Sequence, residues 1–461
     1  MSLAPVLARI DADLEESVER LFELLRIPSI STDPKYEEDC EEAADWLVNQ
    51  LGMLGAEARK YQTPGHPMVV GQLYPKTKDS KLHVLFYGHY DVQPVDPLDL
   101  WDRDPFDPAL EITPKGKVIR GRGSSDDKGQ LMTFIEACRA WKEVHGDFPC
   151  KITFFFEGEE ESGSPSLIPF MKEYKDKLTS DVVLICDTGL FQSETPAIVT
   201  RLRGLLGEEI CITGPDKDLH SGMYGGPAIN PIRVLSKILA NLHDPEGRIL
   251  VPGFYDGVPD LPPEVGAQWA SLNFDHENFL GEVGLSLPAG QKGFTPLEMI
   301  WSQPTCEFNG ITGGYTGDGF KTVLPSKASA KVSFRLVGDQ DPHEIRKNFR
   351  NYVTSMLPAD CSVEFKAHGA SKGSVMSTDA FEFEAARKAL SQEWPNPAAF
   401  VGCGGSIPIA GHFQTILGVT PLLIGFGKDD DQLHSPNEKY DLESFHKGIR
   451  SWARVIAELT N

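Results

Sequence analysis

The chain has 461 residues, enough for about two or three domains with sizeable hydrophobic cores. Its 44 basic and 67 acidic side chains give a net charge of −23, so nucleic-acid backbones and anionic membrane surfaces are expected to repel it. We therefore expect neither a nucleic-acid partner nor a membrane partner. The N-terminal residues lack signal-peptide character, and the eight cysteines are scattered without metal-binding spacing. These features predict a cytoplasmic protein with reduced thiols.

Helical periodicity dominates the start of the chain. Apolar residues recur at helical spacing from Ile10 to Leu25, which predicts a first helix. A second amphipathic stretch extends from about Lys35 to Leu54 and is followed by Gly55, a residue that commonly ends helices. The sequence therefore predicts two helices before the first strand.

Four short apolar runs follow at wide intervals. Each is short enough for a strand and too continuous for a sheet with one solvent-exposed face. The runs are residues 82–87, 152–156, 182–186 and 422–426. A helical stretch from Gln130 to Val144 lies between the first two runs and completes an α/β unit. We therefore expect an α/β fold in which a mostly parallel sheet is flanked by helices.

The middle of the chain has a different hydrophobic pattern and composition. It contains alternating, strand-like segments such as 207–213 and 328–337, and a helical stretch near 231–242. A Pro/Gly-rich stretch extends from 252 to 304. Because the fourth apolar run returns only afterwards, we expect an α+β domain inserted into the larger one. The predicted division is residues 1–198 and 377–461 for the catalytic domain, and 199–376 for the insertion.

Metal-capable side chains follow every one of the four apolar runs, and one more lies in the loop GRGSSDDKG ahead of the predicted helix. In chain order they are His89, Asp91, Asp126, Glu160, Glu161, Asp187 and His434. The carboxyl ends of strands in an open parallel sheet line one crevice, so residues distant in sequence can converge there. Imidazoles and carboxylates without a thiolate suit one or two borderline metals such as Zn, Mn or Co.

The charge balance of this set favours two ions over one. Two divalent ions carry +4, and Asp126, Glu161 and Asp187 contribute −3, which leaves +1 for a bound hydroxide to neutralise. If one carboxylate bridges the ions, five ligands give each ion three protein groups and leave positions open for water and substrate. This arrangement is typical of a hydrolytic site rather than a structural one.

Several of these residues also have ordinary structural explanations. Asp187 could cap a helix, and His434 lies in an acidic loop where a surface histidine is common. The acidic run at 157–161 could be a solvated face, although it directly follows three phenylalanines. The loop GRGSSDDKG lacks the Gly-Lys-Ser/Thr ending of a phosphate-binding loop. Only the recurrence of such residues at successive strand ends favours the metal site.

Five segments, occurring in the same order, resemble motifs of the M20 family of co-catalytic metallopeptidases. They are GHYDVQP at 88–94, GRGSSDDKG at 121–129, EGEEESGS at 157–164, DLHSGMYGG at 218–226 and QLHSP at 432–436. The chain length and the stretch GGYTGDGFKTVLP at 313–325 are most similar to the carnosinase and cytosolic nonspecific dipeptidase branch. The resemblance spans nearly the whole chain. It implies the co-catalytic zinc peptidase fold, with the insertion acting as a lid and dimerisation domain.

The resemblance also implies a role for each metal-capable residue. His89 and Asp187 would bind one ion, Glu161 and His434 the other, and Asp126 would bridge the two. Zinc is the expected metal, and manganese and cobalt stay open because they use similar ligands.

Two further acidic residues receive supporting roles from the resemblance. Asp91 would orient the His89 ring through its second nitrogen. Glu160 would be the general base, because only the pair of glutamates directly before Ser162 matches the family pattern. The resemblance implies in addition a cis peptide between Asp126 and Asp127.

The remaining candidate residues belong to the predicted insertion or follow it. The resemblance implies a homodimer in which His220 reaches the active site of the partner subunit and stabilises the oxyanion. Arg335 would bind the substrate carboxylate through its planar guanidinium, with His368 and Ser406 as weaker candidates for the same pocket.

Together these features predict a dinuclear metal-dependent hydrolase. It would cleave dipeptides or short peptides with a free C-terminal carboxylate, using a metal-bridging water activated by a glutamate. An N-acyl amino acid deacylase of the same family is the alternative. A non-catalytic binding protein on the same scaffold is disfavoured because every ligand and base position is filled.

Overall fold

The computed structural model describes residues 1–76 and 82–460. The chain forms two compact units. The first unit comprises Met1–Thr200, Ser377–Val401 and His412–Asn461, and the second comprises Arg201–Met376 and Gly402–Gly411. None of the helices in the described ranges combines the length and apolar character needed to span a bilayer. All eight cysteines are free thiols.

Helices occur along the whole chain. They are α1 Ala4–Ala12, α2 Leu14–Leu25, α3 Glu37–Met53, α4 Lys128–His145, α5 Leu167–Glu173, α6 Lys175–Leu178, α7 Ser221–Tyr224, α8 Pro231–Ala240, α9 Pro263–Ser271, α10 His276–Gly281, α11 Pro296–Trp301, α12 Pro342–Ser355, α13 Phe381–Ser391, α14 Pro408–His412 and α15 Leu442–Leu459. Short 3₁₀ turns lie at Pro34–Tyr36, Leu98–Leu100 and Glu160–Ser162, and a π-helical turn lies at Phe413–Leu417.

Strands alternate with these helices. They are β1 Glu57–Tyr61, β2 Met68–Leu73, β3 His83–His89, β4 Ala109–Thr113, β5 Gly116–Arg120, β6 Lys151–Glu157, β7 Val182–Ile185, β8 Ala197–Leu202, β9 Gly204–Thr213, β10 Leu219–His220, β11 Thr305–Gly313, β12 Val323–Leu324, β13 Lys327–Leu336, β14 Ser362–Ser371, β15 Ser374–Val375, β16 Ala399–Cys403, β17 Pro421–Gly425 and β18 Lys439–Asp441.

The central sheet of the first unit has the strand order β1-β2-β6-β3-β7-β17-β8, and β16 also pairs with β8. Strand β3 is parallel to both β6 and β7, and β7 is parallel to β17. These four central strands are the four apolar runs found in the sequence, so their prediction as buried parallel strands is confirmed. Antiparallel strands complete the sheet on both sides. The predicted α/β fold class is also confirmed.

Aromatic packing joins the central sheet to its helices. The rings of Phe86 on β3 and Phe134 on α4 stack with centroids 4.0 Å apart, and Trp452 on α15 meets Phe86 edge to face at 5.6 Å. Phe154 and Phe156 are fully buried on β6. Aromatic pairs of this kind add to the stabilisation from apolar burial. The predicted helix at 130–144 lies within α4 and is confirmed.

The N-terminal prediction of two helices is wrong in number. Asp13 interrupts the first predicted helix and separates α1 from α2. Its side chain forms an ion pair with Arg9, and its backbone leaves helical geometry with φ −100° and ψ 11°. Aspartate competes for local polar partners and is therefore unfavourable inside a helix. The second predicted helix is confirmed as α3, and Gly55 follows it with φ +90°.

The second unit has its own sheet and hydrophobic core. Its four strands are antiparallel in the order β11-β13-β9-β14. One face of β9 buries Leu206, Ile210 and Ile212 against α8 and α12. The buried carboxylate of Glu208 on the same face pairs with Arg346 on α12, with 2.9 Å between Oε2 and Nε. An antiparallel sheet covered by helices has the α+β character predicted for this region. Its role as a lid stays a prediction.

Candidate metal centre

Strand register in the first unit brings the ends of three strands together. His89 closes β3 and lies opposite Glu157 at the end of β6, and Tyr87 lies opposite Ile185 at the end of β7. The segments that leave these strands therefore start side by side at one edge of the sheet. This edge carries the metal-capable residues, as expected for an open parallel sheet.

A first cluster of potential ligands contains His89, Asp126 and Asp187. One donor atom from each residue lies within 4.8 Å of the other two. The His89 ring is buried, and its Nε2 lies 3.2 Å from Asp126 Oδ1 without a hydrogen bond of good geometry. A buried imidazole nitrogen that lacks such a partner and faces carboxylates fits a metal ligand.

A second cluster contains Asp126, Glu161 and His434, again with donor atoms within 4.8 Å of one another. His434 Nε2 lies 2.9 Å from Asp126 Oδ2 and 3.5 Å from Glu161 Oε2. Asp126 is thus common to both clusters, and its two oxygens face different imidazoles. The peptide between Asp126 and Asp127 is cis, as the family resemblance implies.

Asp91 connects the two strand-end loops. Its Oδ1 lies 3.3 Å from His89 Nδ1, and the same nitrogen lies 3.1 Å from the Asp91 carbonyl oxygen. The carboxylate also accepts hydrogen bonds from the backbone N–H groups of Glu160 at 3.2 Å and Glu161 at 3.0 Å. This fully buried residue therefore contacts both the His89 ring and the backbone of the turn that carries both glutamates.

The three consecutive glutamates have different surroundings. Glu159 is buried and accepts hydrogen bonds from the backbone N–H groups of His66 at 2.8 Å and Ser166 at 2.9 Å, so its carboxylate is already occupied. The Glu160 carboxylate accepts no hydrogen bond from the described residues. Burial raises the pKa of Glu160 above its usual value.

Electrostatics in the clusters reflect an excess of carboxylates. Burial would raise the pKa of Asp126, but the hydrogen bond with His434 and the close approach of the His89 ring outweigh burial and hold that pKa below its usual value. Burial, together with the charge of Asp126, raises the pKa of Glu161 to about 8. Burial also raises the pKa of Asp187 well above its usual value. Divalent cations favour the charged forms of such groups, so the donor set fits metal binding.

The four candidates of the second unit lie on different elements. Exposed His220 ends β10, and its Nδ1 accepts a hydrogen bond from the backbone of Gly222 at 3.0 Å. Arg335 on β13 donates from Nη1 to Ser406 Oγ at 3.2 Å, so these two predicted partners are in contact. His368 on β14 is exposed, and its Nε2 lies 3.6 Å from Glu209 Oε2.

Sequence reasoning missed two residues that contact or adjoin predicted site residues, Gln93 beside Glu161 and Arg203 beside Arg335. Gln93 donates from Nε2 to Glu161 Oε2 at 2.7 Å. Its place in the GHYDVQP segment was the only available signal. Arg203 donates from Nε to the Gly404 carbonyl at 3.0 Å, and burial beside Arg335 lowers its pKa to about 10. No local pattern distinguishes Arg203 from an ordinary strand residue.

A parallel α/β sheet whose carboxyl edge carries shared imidazole and carboxylate donors defines the class as a metal-dependent hydrolase. Comparison with known families makes the assignment specific, because residues 85–458 match the model described as peptidase family M20/M25/M40. The chain therefore belongs to this family of metal-dependent peptidases.

Known proteins are similar to this chain over nearly its full length. The Cys-Gly metallodipeptidase dug1 of Schizosaccharomyces pombe is 34% identical and covers 100% of this chain and 99% of its own. Human Beta-Ala-His dipeptidase is 28% identical, with coverage of 99% and 92%. The crystal structure of Sso-CP2, an M20 metallo-carboxypeptidase from Sulfolobus solfataricus, superposes with a TM-score of 0.82 at 30% identity and covers 96% of this chain and 99% of its own. The predicted carnosinase and cytosolic dipeptidase branch is confirmed.

Proposed function

We propose that the protein is a dinuclear metallodipeptidase. The observation that carries this proposal is the position of Asp126, whose Oδ1 faces His89 at 3.2 Å and whose Oδ2 faces His434 at 2.9 Å. One carboxylate shared by two donor clusters suits a pair of ions rather than one. In this proposal His89 and Asp187 would hold one ion, Glu161 and His434 would hold the other, and Asp126 would serve both.

The donor types favour zinc, with manganese and cobalt as alternatives. When bound, such ions lower the pKa of a water molecule and polarise the scissile carbonyl. Asp91 keeps the His89 ring in the orientation required for binding. Glu160 accepts a proton from the attacking water and delivers it to the leaving nitrogen, a role supported by its unoccupied carboxylate and raised pKa.

The proposed substrates are dipeptides or short peptides with a free C-terminal carboxylate. Both the Cys-Gly metallodipeptidase and the Beta-Ala-His dipeptidase are named for dipeptide cleavage, which supports this class. Arg335 binds the carboxylate through its guanidinium, and Ser406, which already contacts Arg335, completes the polar site. His368 is assigned to the same substrate-binding set.

We also propose a cytoplasmic homodimer in which residues 199–376 form the lid and dimerisation domain. His220 would act on the substrate bound by the partner subunit. Its exposure leaves it free for such a contact, and the large apolar side chains of Met223, Ile311 and Phe320 in the second unit are exposed as well. Apolar surface of this kind is common at subunit interfaces.

A screen of the purified protein against dipeptides and N-acetylated amino acids tests the proposed function. We expect turnover of dipeptides, loss of turnover after chelation, and recovery when zinc, manganese or cobalt is returned. Metal analysis of the same sample should give about two ions per chain. If acetylated amino acids are hydrolysed and dipeptides are not, the dipeptidase assignment is contradicted. Activity after complete metal removal would contradict the metal mechanism.

A further inference from the structure

Glu438 is fully buried four residues after His434, and it binds the loop that carries Asp126. Its Oε1 accepts hydrogen bonds from the backbone N–H groups of Ser125 at 2.9 Å and Asp126 at 3.1 Å. Its Oε2 accepts from the backbone N–H of Gly123 at 3.0 Å and from Arg122 Nη1 at 2.8 Å. Four donors therefore converge on one carboxylate and reduce the cost of burying its charge.

The loop at 121–127 has no helix or strand to fix its backbone. Gly123 has φ +81°, a conformation that other residues rarely adopt, and the surrounding N–H groups point inward. Without an acceptor, these buried N–H groups would lose their hydrogen bonds to water and gain none in the folded chain, which is unfavourable. Glu438 supplies that acceptor and thereby determines the path of the backbone into Asp126.

A second contact joins the same two loops on the other side of His434. Ser125 Oγ donates to Asp431 Oδ2 at 2.7 Å, and Lys439 Nζ donates to Asp431 Oδ1 at 2.7 Å. Asp431 is fully buried. The segment that carries His434 is thus attached to the Asp126 loop both before and after the histidine.

His434 has little support of its own. Its side chain is 55% exposed and its φ is +58°. Within the described part of the chain, its ring Nε2 approaches the carboxylates of Asp126 and Glu161 alone. The distance between the His434 ring and the Asp126 carboxylate therefore depends on how the two loops are joined.

We infer that Glu438 is a positioning residue for the metal centre, which sets Asp126 and His434 at the separation that a shared ion requires. The inference rests on the proposed function, because it assigns Glu438 a role in the metal site proposed there. Glu438 is not a member of either donor cluster. Its carboxylate instead binds the backbone of the loop that carries Asp126. Its effect should therefore be seen in metal affinity rather than in substrate binding.

The matched control is Glu136, a buried glutamate on α4. Its carboxylate pairs with Arg20 at 2.6 Å and Arg139 at 3.2 Å and accepts a hydrogen bond from Ser17 at 3.0 Å. Like Glu438 it is almost fully buried, but it joins α2 to α4 and has no contact with the Asp126 loop. The change Glu136→Gln therefore measures the loss of a buried ion pair by itself.

The experiment titrates zinc into the metal-free full-length parent, Glu438→Gln and Glu136→Gln, using calorimetry and dipeptide turnover. We expect Glu438→Gln to weaken zinc binding about 10- to 100-fold, as is typical when support for a metal ligand is lost. Saturating zinc should restore much of the turnover in Glu438→Gln, with KM for the dipeptide near that of the parent. Zinc binding by Glu136→Gln should stay near the parent value.

Equal zinc affinities for the parent and both variants would overturn the inference while leaving the proposed function intact. A parent that binds no zinc, manganese or cobalt would overturn the proposed function and the inference with it. If Glu438→Gln fails to fold, Glu438→Asp decides the question, since it keeps the charge beside Arg122 but shortens the reach to Ser125 and Asp126. Weaker zinc binding by Glu438→Asp supports the inference, and parental binding overturns it.

Discussion

The two halves of the proposed metal centre are built in different ways. His89 is buried at the carboxyl end of β3, and Asp187 follows the neighbouring parallel strand β7 by two residues. Glu161 instead lies in a short 3₁₀ turn, and His434 lies in an irregular loop with more than half of its side chain exposed. The first half is positioned by the sheet, whereas the second depends on loop conformation.

This difference identifies where support is needed. Backbone hydrogen bonds between parallel strands hold the ends of β3 and β7 in register. The loop half is held by side chains, namely the carboxylate of Asp91, the amide of Gln93 and the carboxylate of Glu438. Substitution of a supporting side chain should therefore affect the loop half more than the strand half.

The largest expected effect comes from substitution of Glu160. Because Glu160 is not a proposed ligand in either half, this change tests the proton transfer separately from metal binding. Glu160→Ala should lower kcat by about 10²- to 10⁴-fold, because no other group in the proposed mechanism takes the proton from water. Metal content should stay near that of the parent, since Glu160 is not a proposed ligand. Steady-state kinetics and elemental analysis of one preparation measure both quantities. Parental turnover in the variant would remove Glu160 as the base.

A comparison of His434→Ala with His89→Ala tests the two halves directly. Each variant should lose about one of the two ions. In the metal-free state, His89→Ala should lower the free energy of unfolding by about 1–3 kcal/mol, because it disrupts buried polar contacts. His434→Ala should lower this free energy by a smaller amount, because more than half of the side chain is exposed and solvent screens its hydrogen bond with Asp126. Equal destabilisation in denaturant unfolding would contradict the difference between the halves.

A smaller effect is expected when support for the loop half is reduced. Gln93→Leu removes the amide that donates to Glu161, so we expect about 10-fold weaker binding of one ion and little change in KM. Gln72→Leu is the control, because Gln72 on β2 donates to Thr153 and to the Lys177 carbonyl instead. Zinc titration of both variants would exclude a positioning role for Gln93 if their affinities were the same.

The smallest effect concerns the other end of strand β3. Burial, aided by the charge of Lys151, lowers the pKa of His83 to about 4, whereas the carboxylates of Asp126 and Asp91 overcome the effect of burial and raise the pKa of His89. Between pH 6.5 and 4, His83 is therefore mostly protonated in the unfolded chain and mostly neutral in the folded chain. Stability from this group is lost as the pH falls through that window.

The change His83→Gln can keep the hydrogen bond to Thr153 Oγ1, which lies 2.7 Å from His83 Nε2, while removing the titration. Unfolding free energies of parent and variant at pH 7.5 and pH 5 should show a smaller loss on acidification in the variant. The same loss in both proteins would show that His83 does not contribute to the acid sensitivity.

Much of the fold and of the candidate site could be predicted from local patterns. Apolar runs identified the four central strands, and the polar residues after them gave the donor set, because a buried strand must end where its side chains become hydrophilic. Residues 157–161 also contain the proposed base and one proposed ligand, but only the contacts of Glu159 with His66 and Ser166 show that the carboxylate of this first glutamate is already hydrogen-bonded.

Other features have no local signal. The break at Asp13 falls inside an unbroken apolar period, so periodicity alone predicts one helix where there are two. The bond between Gln93 and Glu161 joins residues 68 positions apart, and the bonds from Glu438 to the Asp126 loop span more than 300 positions. Hydrogen bonds over such separations depend on the complete chain path, which hydrophobic patterning does not encode.

The sequence by itself determined the class of sheet and the kinds of side chain at its carboxyl edge, because burial fixes the apolar pattern and the end of each strand fixes where polar groups can follow. Only the tertiary structure decided that the two oxygens of Asp126 face different histidines and that Glu438 joins the loops that carry these ligands. The reason is physical: distances between ligands are set by loops that meet after folding, and their geometry is a property of the folded chain.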